Sequence, residues 1–384
     1  MPASFDMSLV QRGARLRRTP FFAATQRYGA RAYTVYNHML FPICFDDLEA
    51  EYWHLINHVT LWDVAVERQV EITGPDAFTL TNMLTPRDLA KCAVGQGKYV
   101  LITGEDGGVI NDPVLLRLGE NHFWLALADS DVLLWARGVA VHAGLDVQIG
   151  EPDVSPLQIQ GPKAKAVVET LFGQAALDLS YYWFLDTTLD GIPVIVTRTG
   201  WTGEVGYEVY LRDGSRGDAL WERIMAAGKP HGIRPTGPSD IRRIEAGILN
   251  WGADITLDDN PYELGLDRLV DEKKTADYLG RDALRRIKAA GVKKRLVGIE
   301  IEGAPIGFNA TTWPVAAGGR PVGRVTSAIY SPRLEKNIGY AMVPVAHAAA
   351  GTRLAVEIPD VGTRTATVVE MPFVDPAKAI PKKK

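Results

Sequence analysis

The chain has 384 residues, with 46% hydrophobic and 23% charged, the balance of an ordinary globular protein too long for one core. Its net charge of −4 gives no footprint for nucleic acid, and no apolar run approaches the roughly 20 residues a membrane helix needs. Two distant cysteines, Cys44 and Cys92, argue against a disulfide scaffold or a cysteine-rich metal site; with no signal-peptide pattern, a cytoplasmic protein is expected.

In chain order, Arg15-Leu16-Arg17-Arg18-Thr19-Pro20-Phe21-Phe22 reads as an irregular arm that docks through its Phe pair. The aromatic run Tyr33-Thr34-Val35-Tyr36-Asn37-His38-Met39-Leu40-Phe41-Pro42 either lines a pocket for a small methylated compound or packs as an edge segment with His38 buried. Residues 48–59 have helical spacing, and His54 and His58 share a face there as a surface pair. Gln69–Ala77 reads as strand, Gly-Pro turn and helix start, with Asp76 at the helix N-terminus. Residues 158–164 repeat that form, suggesting two related α/β units. Residues 98–103 and 109–118 read as strands joined by the turn Gly104-Glu105-Asp106-Gly107-Gly108. Residues 122–128 form a strand, followed by a helix over 131–143 that Asp129 or Ser130 could cap. Further helices are expected over 215–228, over 238–247 with Ser239 or Asp240 as cap, and over 271–289. From Arg295 onward, short alternating strands suggest a β-barrel-like C-terminal domain, and Lys382-Lys383-Lys384 a solvated tail. The class expected is α+β with mainly antiparallel sheets.

The most informative stretch is Arg198-Thr199-Gly200-Trp201-Thr202-Gly203-Glu204-Val205-Gly206-Tyr207-Glu208-Val209-Tyr210. Flat aromatics can sandwich a heterocycle, a carboxylate can take two hydrogen bonds from an amino-pyrimidine edge, and the glycines admit close approach to a ligand or a positive φ. The plainer alternative is a tight hairpin before a half-buried strand. Asp112, in Asn111-Asp112-Pro113, either faces a ligand nitrogen or a cationic substrate, or bonds its own turn. Arg243 and Glu245, in 239–247, are either solvated or turned inward to hold a carboxylate. GxxxxGK[ST], HExxH, CxxC and GxSxG are absent from the sequence, which disfavours nucleoside-triphosphate, metal and activated-nucleophile chemistry.

Together, Gly107–Asp112, Arg198–Tyr210, Asp240–Gly247 and Thr326-Ser327-Ala328-Ile329-Tyr330-Ser331-Pro332 resemble the folate-dependent aminomethyltransferase superfamily, the glycine-cleavage T-protein and its relatives. The resemblance spans nearly the whole chain. It implies a three-domain cloverleaf with tetrahydrofolate in a central hole: 1–59 plus 155–237, 60–154 plus 238–290, and a barrel over 291–384. Within the superfamily, several strings are closer to dimethylsulfoniopropionate (DMSP) demethylases. They are Arg18-Thr19-Pro20-Phe21, Tyr33–Leu40, Trp62-Asp63-Val64, Glu67-Arg68-Gln69-Val70, Thr85-Pro86-Arg87-Asp88, Ile110-Asn111-Asp112-Pro113, Ala128-Asp129-Ser130-Asp131 and 151–156. Asn111-Asp112 and Trp62-Asp63-Val64-Ala65 depart from the T-protein pattern, whereas Trp201–Gly206 resembles the T-protein version of its loop.

Carried over by position, the resemblance implies that Glu208 holds the pterin edge, while Trp201 and Tyr210 line the pterin and substrate pocket. Tyr99 and Arg243 flank the folate, Tyr36 belongs to the donor site, and Asp112 faces the reacting centre, with Tyr210 beside it. The implied activity moves a methyl group from a small donor, DMSP first, to tetrahydrofolate, giving 5-methyltetrahydrofolate and 3-(methylthio)propionate. Alternatives are demethylation of aryl ethers or methylated amines, for which Tyr36 and the cluster Tyr181-Tyr182-Trp183 offer acids, a glycine-cleavage role, or folate binding without turnover. No metal, nucleic acid or membrane partner is expected; the oligomeric state is left open, with a homodimer as one option.

Overall fold

Burial along the strand Gly206–Leu211 divides with the period of two: Tyr207, Val209 and Leu211 enter one core, and Tyr210 enters a second. The computed structural model describes residues 16–383; Met1–Arg15, including the first residue of the expected arm, and Lys384 lie outside the described residues. Six strands form the first sheet, in the order Phe184–Leu189, Ile192–Thr197, Gly206–Leu211, Ser155–Gln160, Thr60–Asp63, Arg234–Pro235. Only the last pairing is parallel. The helices Ala164–Phe172 and Gly217–Gly228 cover one face through Val167, Val168, Leu220, Trp221 and Ile224.

The second sheet, wholly antiparallel, runs Gln148–Gly150, Gln69–Thr73, His122–Ala126, Val114–Gly119, Gly97–Tyr99. Its outer face packs under the helices Ala77–Leu84 and Val132–Ala143. The inner faces meet, with Leu116, Trp124 and Ala126 against Ile195 and Tyr210. A closed barrel follows: Lys294–Ile301, Lys336–Pro344, Arg320–Ser331, Trp313–Ala317, Arg353–Ile358 and Gly362–Val369. Closure leaves it no free edge. Its wall at Ile338, Tyr340 and Met342 packs against Ile241, Ile244 and Leu264.

Several local expectations change. The strand Thr60–Asp63 pairs with Ser155–Gln160, so the first domain extends past the expected boundary at 59. The helix over 238–247 shortens to Asp240–Glu245, capped by Ser239, and rests on the barrel rather than the second sheet. Only Arg281–Ala290 of the helix expected over 271–289 forms. Its first part is a strap, because Lys274 donates to the carbonyls of Asn82, Thr85 and Arg87 and these fix it in turns. Neither Asp129 nor Ser130 caps Val132–Ala143; they bond Asn37 and Asn111 instead. The Asp76 side chain accepts from Asp146 N rather than capping its own helix. The arm is helical over Phe22–Arg27, with Phe21 and Phe22 buried. The tail docks, since the carbonyl of Lys383 accepts from Arg198.

Candidate active site

A row of side chains crosses the inner face of the first sheet. Register places Trp62 beside Gln158, Gln158 beside Glu208, and Glu208 beside Thr197. The buried Glu208 carboxylate accepts from Gln158 Nε2 at 2.8 Å, Thr199 Oγ1 at 2.7 Å and Tyr210 OH at 2.8 Å. Burial pushes this carboxyl up and the donors pull it back. Gln158 Oε1, beside it, is buried without a partner. An amino-pyrimidine edge presents N–H donors, and a carboxylate flanked by an orphan carbonyl oxygen is the acceptor set such an edge needs. The residues present therefore fit a pterin.

In the preceding loop Gly203 takes the positive φ expected of one of these glycines, at +69°, while Gly200 and Gly206 make room for a side chain rather than a ligand. A Cβ on Gly200 or Gly206 would collide with the Gln160 side chain. That amide is buried, accepting from Thr202 Oγ1 at 2.8 Å and donating to the Thr199 carbonyl at 3.3 Å. The loop thus closes around Gln160 rather than leaving room for a ligand.

Asp112 is placed by a break in a hairpin. Gly97–Tyr99 pairs with Val114–Gly119, and Ile102–Thr103 with Val109–Asn111, so both continuous strands expected from the sequence are interrupted. Pro113 has no N–H to give the ladder, and Asp112 leaves the pairing beside it. Tyr99 OH donates to Asp112 Oδ2 at 2.9 Å. Burial pushes Asp112 up to about 7; the Tyr99 bond works against this and Asp254 adds to it.

A buried amide network gathers three further loops. Asn37 Nδ2 donates to the Val66 carbonyl at 3.0 Å and the Ala128 carbonyl at 3.3 Å, and Asn37 Oδ1 accepts from Ser130 N. Asn111 Nδ2 donates to Ser130 Oγ at 2.7 Å and the Ala128 carbonyl at 3.2 Å. Tyr36, Glu67 and Asp112 each adjoin a member of this network in sequence. His38, by contrast, sits exposed at the tip of the hairpin Ala32–Tyr36, Met39–Cys44.

Glu67 was not singled out from the sequence. Burial, then Glu208 and Asp112, push its carboxyl well above the ordinary range. Glu208 has hydrogen-bond donors and, among the described residues, Glu67 has none, so a proton shared by the pair belongs on Glu67. Burial, then Glu67 and Asp112, raise Tyr36; burial, then Glu208 and Glu67, raise Tyr210. Tyr182 joins them: burial, Tyr181 and Glu208 raise its hydroxyl, with the charges of Arg87 and Arg268 opposing. It holds φ +67°, costly for a bulky residue. Glu67, Tyr99, Asp112 and Tyr182 all keep partial solvent contact, as lining residues must.

Arg243 and Trp201 lie to one side. Arg243 is fully buried, with Nε on Asp240 at 2.6 Å, Nη1 on Asp254 at 2.9 Å and Nη2 on Ser327 Oγ at 2.9 Å. Its remaining surface is the guanidinium face, 5.6 Å from the Trp201 ring centroid. Trp201 packs on Leu55, Trp62 and Val64. Glu204 is bound at 2.8 Å by Arg242 Nε, while Glu245 takes Tyr52 OH and Ser331 Oγ, both at 2.6 Å. A cavity of about 330 Å³ lined by Tyr262, Lys274, Tyr278 and Arg281 shares none of the carboxylate site's residues.

Residues 9–274 match the GCVT N-terminal domain and 294–375 the glycine cleavage T-protein C-terminal barrel domain. The dimethylsulfoniopropionate demethylase DmdA of Ruegeria pomeroyi is 42% identical over 93% of this chain and 97% of its own length. The aminomethyltransferase of Symbiobacterium thermophilum is 36% identical over 93% and 97%. The crystal structure of the glycine cleavage system aminomethyltransferase T of Bartonella henselae superimposes with a TM-score of 0.84 at 25% identity, covering 94% of this chain and 98% of that one. These relationships define a tetrahydrofolate-dependent transferase of methyl or one-carbon groups. The chain belongs to the glycine cleavage T-protein family.

Proposed function

We propose that the protein is a demethylase that moves a methyl group from a small onium donor, DMSP in the first place, to tetrahydrofolate, and that it works in the cytoplasm. The observation that carries this reading is the gathering of Glu67, Asp112 and Glu208 within reach of one another's charges, with Tyr36, Tyr99, Tyr182 and Tyr210 around them. Carboxylates and aromatic faces attract a methylated cation. The 42% identity to a DMSP demethylase over nearly the whole of both chains supports the same donor.

Tetrahydrofolate supplies the nucleophilic N5 amine. Glu208 and Gln158 Oε1 hold the pterin edge, and Tyr99, Trp201 and Tyr210 bound the space beside it. Arg243 acts as a positioning residue, fixing Trp201 from behind. Arg87 and Arg268, whose charges reach Tyr182, provide the counterpart for glutamyl carboxylates. A sulfonium already carries a good leaving group, so the residues need chiefly to align donor and acceptor, worth up to about 7–11 kcal/mol. Methyl transfer from sulfur to that nitrogen would free one proton, for which the site needs a base. Asp112, poised near neutrality, receives it.

The T-protein-like sequence of Trp201–Gly206 is compatible with this donor. Its polar residues serve Gln160 and Arg242, away from the carboxylates. Mass spectrometry of folate products after incubation with DMSP, methoxybenzoates or methylated amines tests the reading. Methylated folate with DMSP is expected; product from the ethers alone, or from none of the donors, would overturn it.

A further inference from the structure

Glu67 is an acid without a partner. Among the described residues its carboxylate meets no hydrogen-bond donor and no cation, although neighbours able to serve are close in sequence. Arg68 turns away to pair with Glu151, and the Gln69 amide donates to the Glu67 backbone carbonyl at 2.6 Å. The hydroxyls of Tyr99 and Tyr210 are committed elsewhere, to Asp112 and Glu208. The position itself is well built. Val66 is held through Asn37 to the segment that also holds Asn111, so Glu67 is carried to the same place as Tyr36 and Asp112.

A half-buried carboxyl within the field of two other carboxyls, Glu208 and Asp112, is costly to ionise. The missing component is a positive charge. Tyr36 and Tyr210 lie within reach of its charge and offer the kind of aromatic surface that attracts a methylated cation. We propose that Glu67 is the specificity-determining counter-charge of this site: it receives the onium group of the donor, so that the enzyme takes methylated cations over neutral molecules of the same shape. The proposal rests on the reading of this site as the methyl-donor site.

The charge logic gives Glu67 a particular kinetic role. In an onium methyl transfer the donor's positive charge disperses towards the acceptor, and a neutral thioether or amine is left behind. Glu67 therefore stabilises the bound donor at least as much as the transition state, so losing it raises KM and does not lower kcat. Once the donor is neutral, nothing holds the product to Glu67, which favours its release.

The test uses the full-length protein, Glu67→Gln, and the charge-keeping Glu67→Asp. Two pairs of ligands differ only in charge: DMSP against 4-methylpentanoate, and glycine betaine against 3,3-dimethylbutanoate. Wild type is expected to prefer the cation of at least one pair by about 50-fold or more in competition binding. Glu67→Gln should cut that preference by about tenfold, raise the donor KM, and leave kcat within about threefold. Glu67→Asp should keep most of the preference, and tetrahydrofolate affinity should be unchanged in both variants. Calorimetry of wild type near neutral pH, in buffers of different ionisation enthalpy, gives a readout needing no variant. The cation should release more protons than its neutral isostere. An unchanged preference in folded Glu67→Gln, no preference in wild type, or equal proton release within both pairs would each overturn the proposal. Cation preference without methyl transfer would sink the demethylase reading and leave this assignment standing. Methyl transfer from DMSP with an unchanged preference in Glu67→Gln would do the reverse.

Discussion

Asp112 and Glu208 are both acids in one site, but their surroundings give them different work. Asp112 has one strong donor, Tyr99, and is pushed up to about 7 by burial; Glu208 has three short donors and a fourth, Thr197 Oγ1, at 3.5 Å, and is fixed in place. If Asp112 receives a proton during transfer, it must be ionised to act. Activity should therefore rise with pH through about 7 and then level off. Asp112→Asn should lower kcat by about 10²–10⁴-fold and abolish that rise. A pH–rate profile of kcat/KM in both forms decides it, and an unaltered profile in the variant would exclude Asp112 as the base. Glu208→Ala removes the acceptor shared by Gln158, Thr199 and Tyr210 as well as the anchor for the pterin. Tetrahydrofolate affinity is expected to fall at least about 100-fold by calorimetry, since losing a charged hydrogen-bonding partner costs about 1.5–3 kcal/mol for each bond. Unchanged folate affinity would refute the assignment.

At the scale of elements, alternation and turn chemistry made the strand containing Glu208 and the hairpin containing Asp112 legible, and the barrel with them. The gathering of those elements was not legible. Asn37 reads as an ordinary turn residue, yet its amide joins Tyr36 to Val66 and Ala128 across loops far apart in sequence. Glu67 lay within a string that suggested a family, but an acid in a loop is normally solvated, and nothing local reports that its neighbours are also acids. The helix Asp240–Glu245 shows the same limit. Its two arginines look like a solvated face, whereas Arg242 and Arg243 are both fully buried. Only the tertiary fold reveals their acids, Glu204 for one and Asp240 and Asp254 for the other. Arg243→Met should strand Asp254 in the interior and destabilise the protein by about 3–5 kcal/mol, seen as a lower unfolding midpoint in urea. Because Arg243 spends its nitrogens on protein, folate affinity in the surviving folded fraction should fall less than in Glu208→Ala. The opposite ranking would make Arg243 a direct ligand contact.

For the whole molecule, the buried acids set how stability varies with pH. Asp63 bonds Thr19 Oγ1 at 2.5 Å and Ala65 N at 3.1 Å, tying the N-terminal arm to the first sheet. Burial still pushes it up to about 7, against those two bonds, and Asp112 reaches about 7 as well. In an unfolded chain an aspartate titrates near about 4. Between the two values the folded protein binds more protons than the unfolded one, so stability falls as pH rises, by about 1.4 kcal/mol per pH unit for each such group. Below that window both states are protonated, and above it both are ionised and the loss is complete. Glu151 has the opposite sign. Its own burial raises it, but Arg68 and Arg17 pull it below the ordinary value, so its contribution disappears only in more acidic solution. The unfolding midpoint of the ligand-free protein should therefore drop between pH 5 and about 7, then level off. Asp63→Asn can keep both bonds, accepting from Ala65 N and donating to the Thr19 hydroxyl, but cannot ionise. It should leave stability nearly unchanged at acidic pH, raise it near pH 8, and flatten the slope between. Thermal melts of both proteins across that range provide the measurement. Parallel curves would mean that Asp63 is not the group whose ionisation opposes the fold.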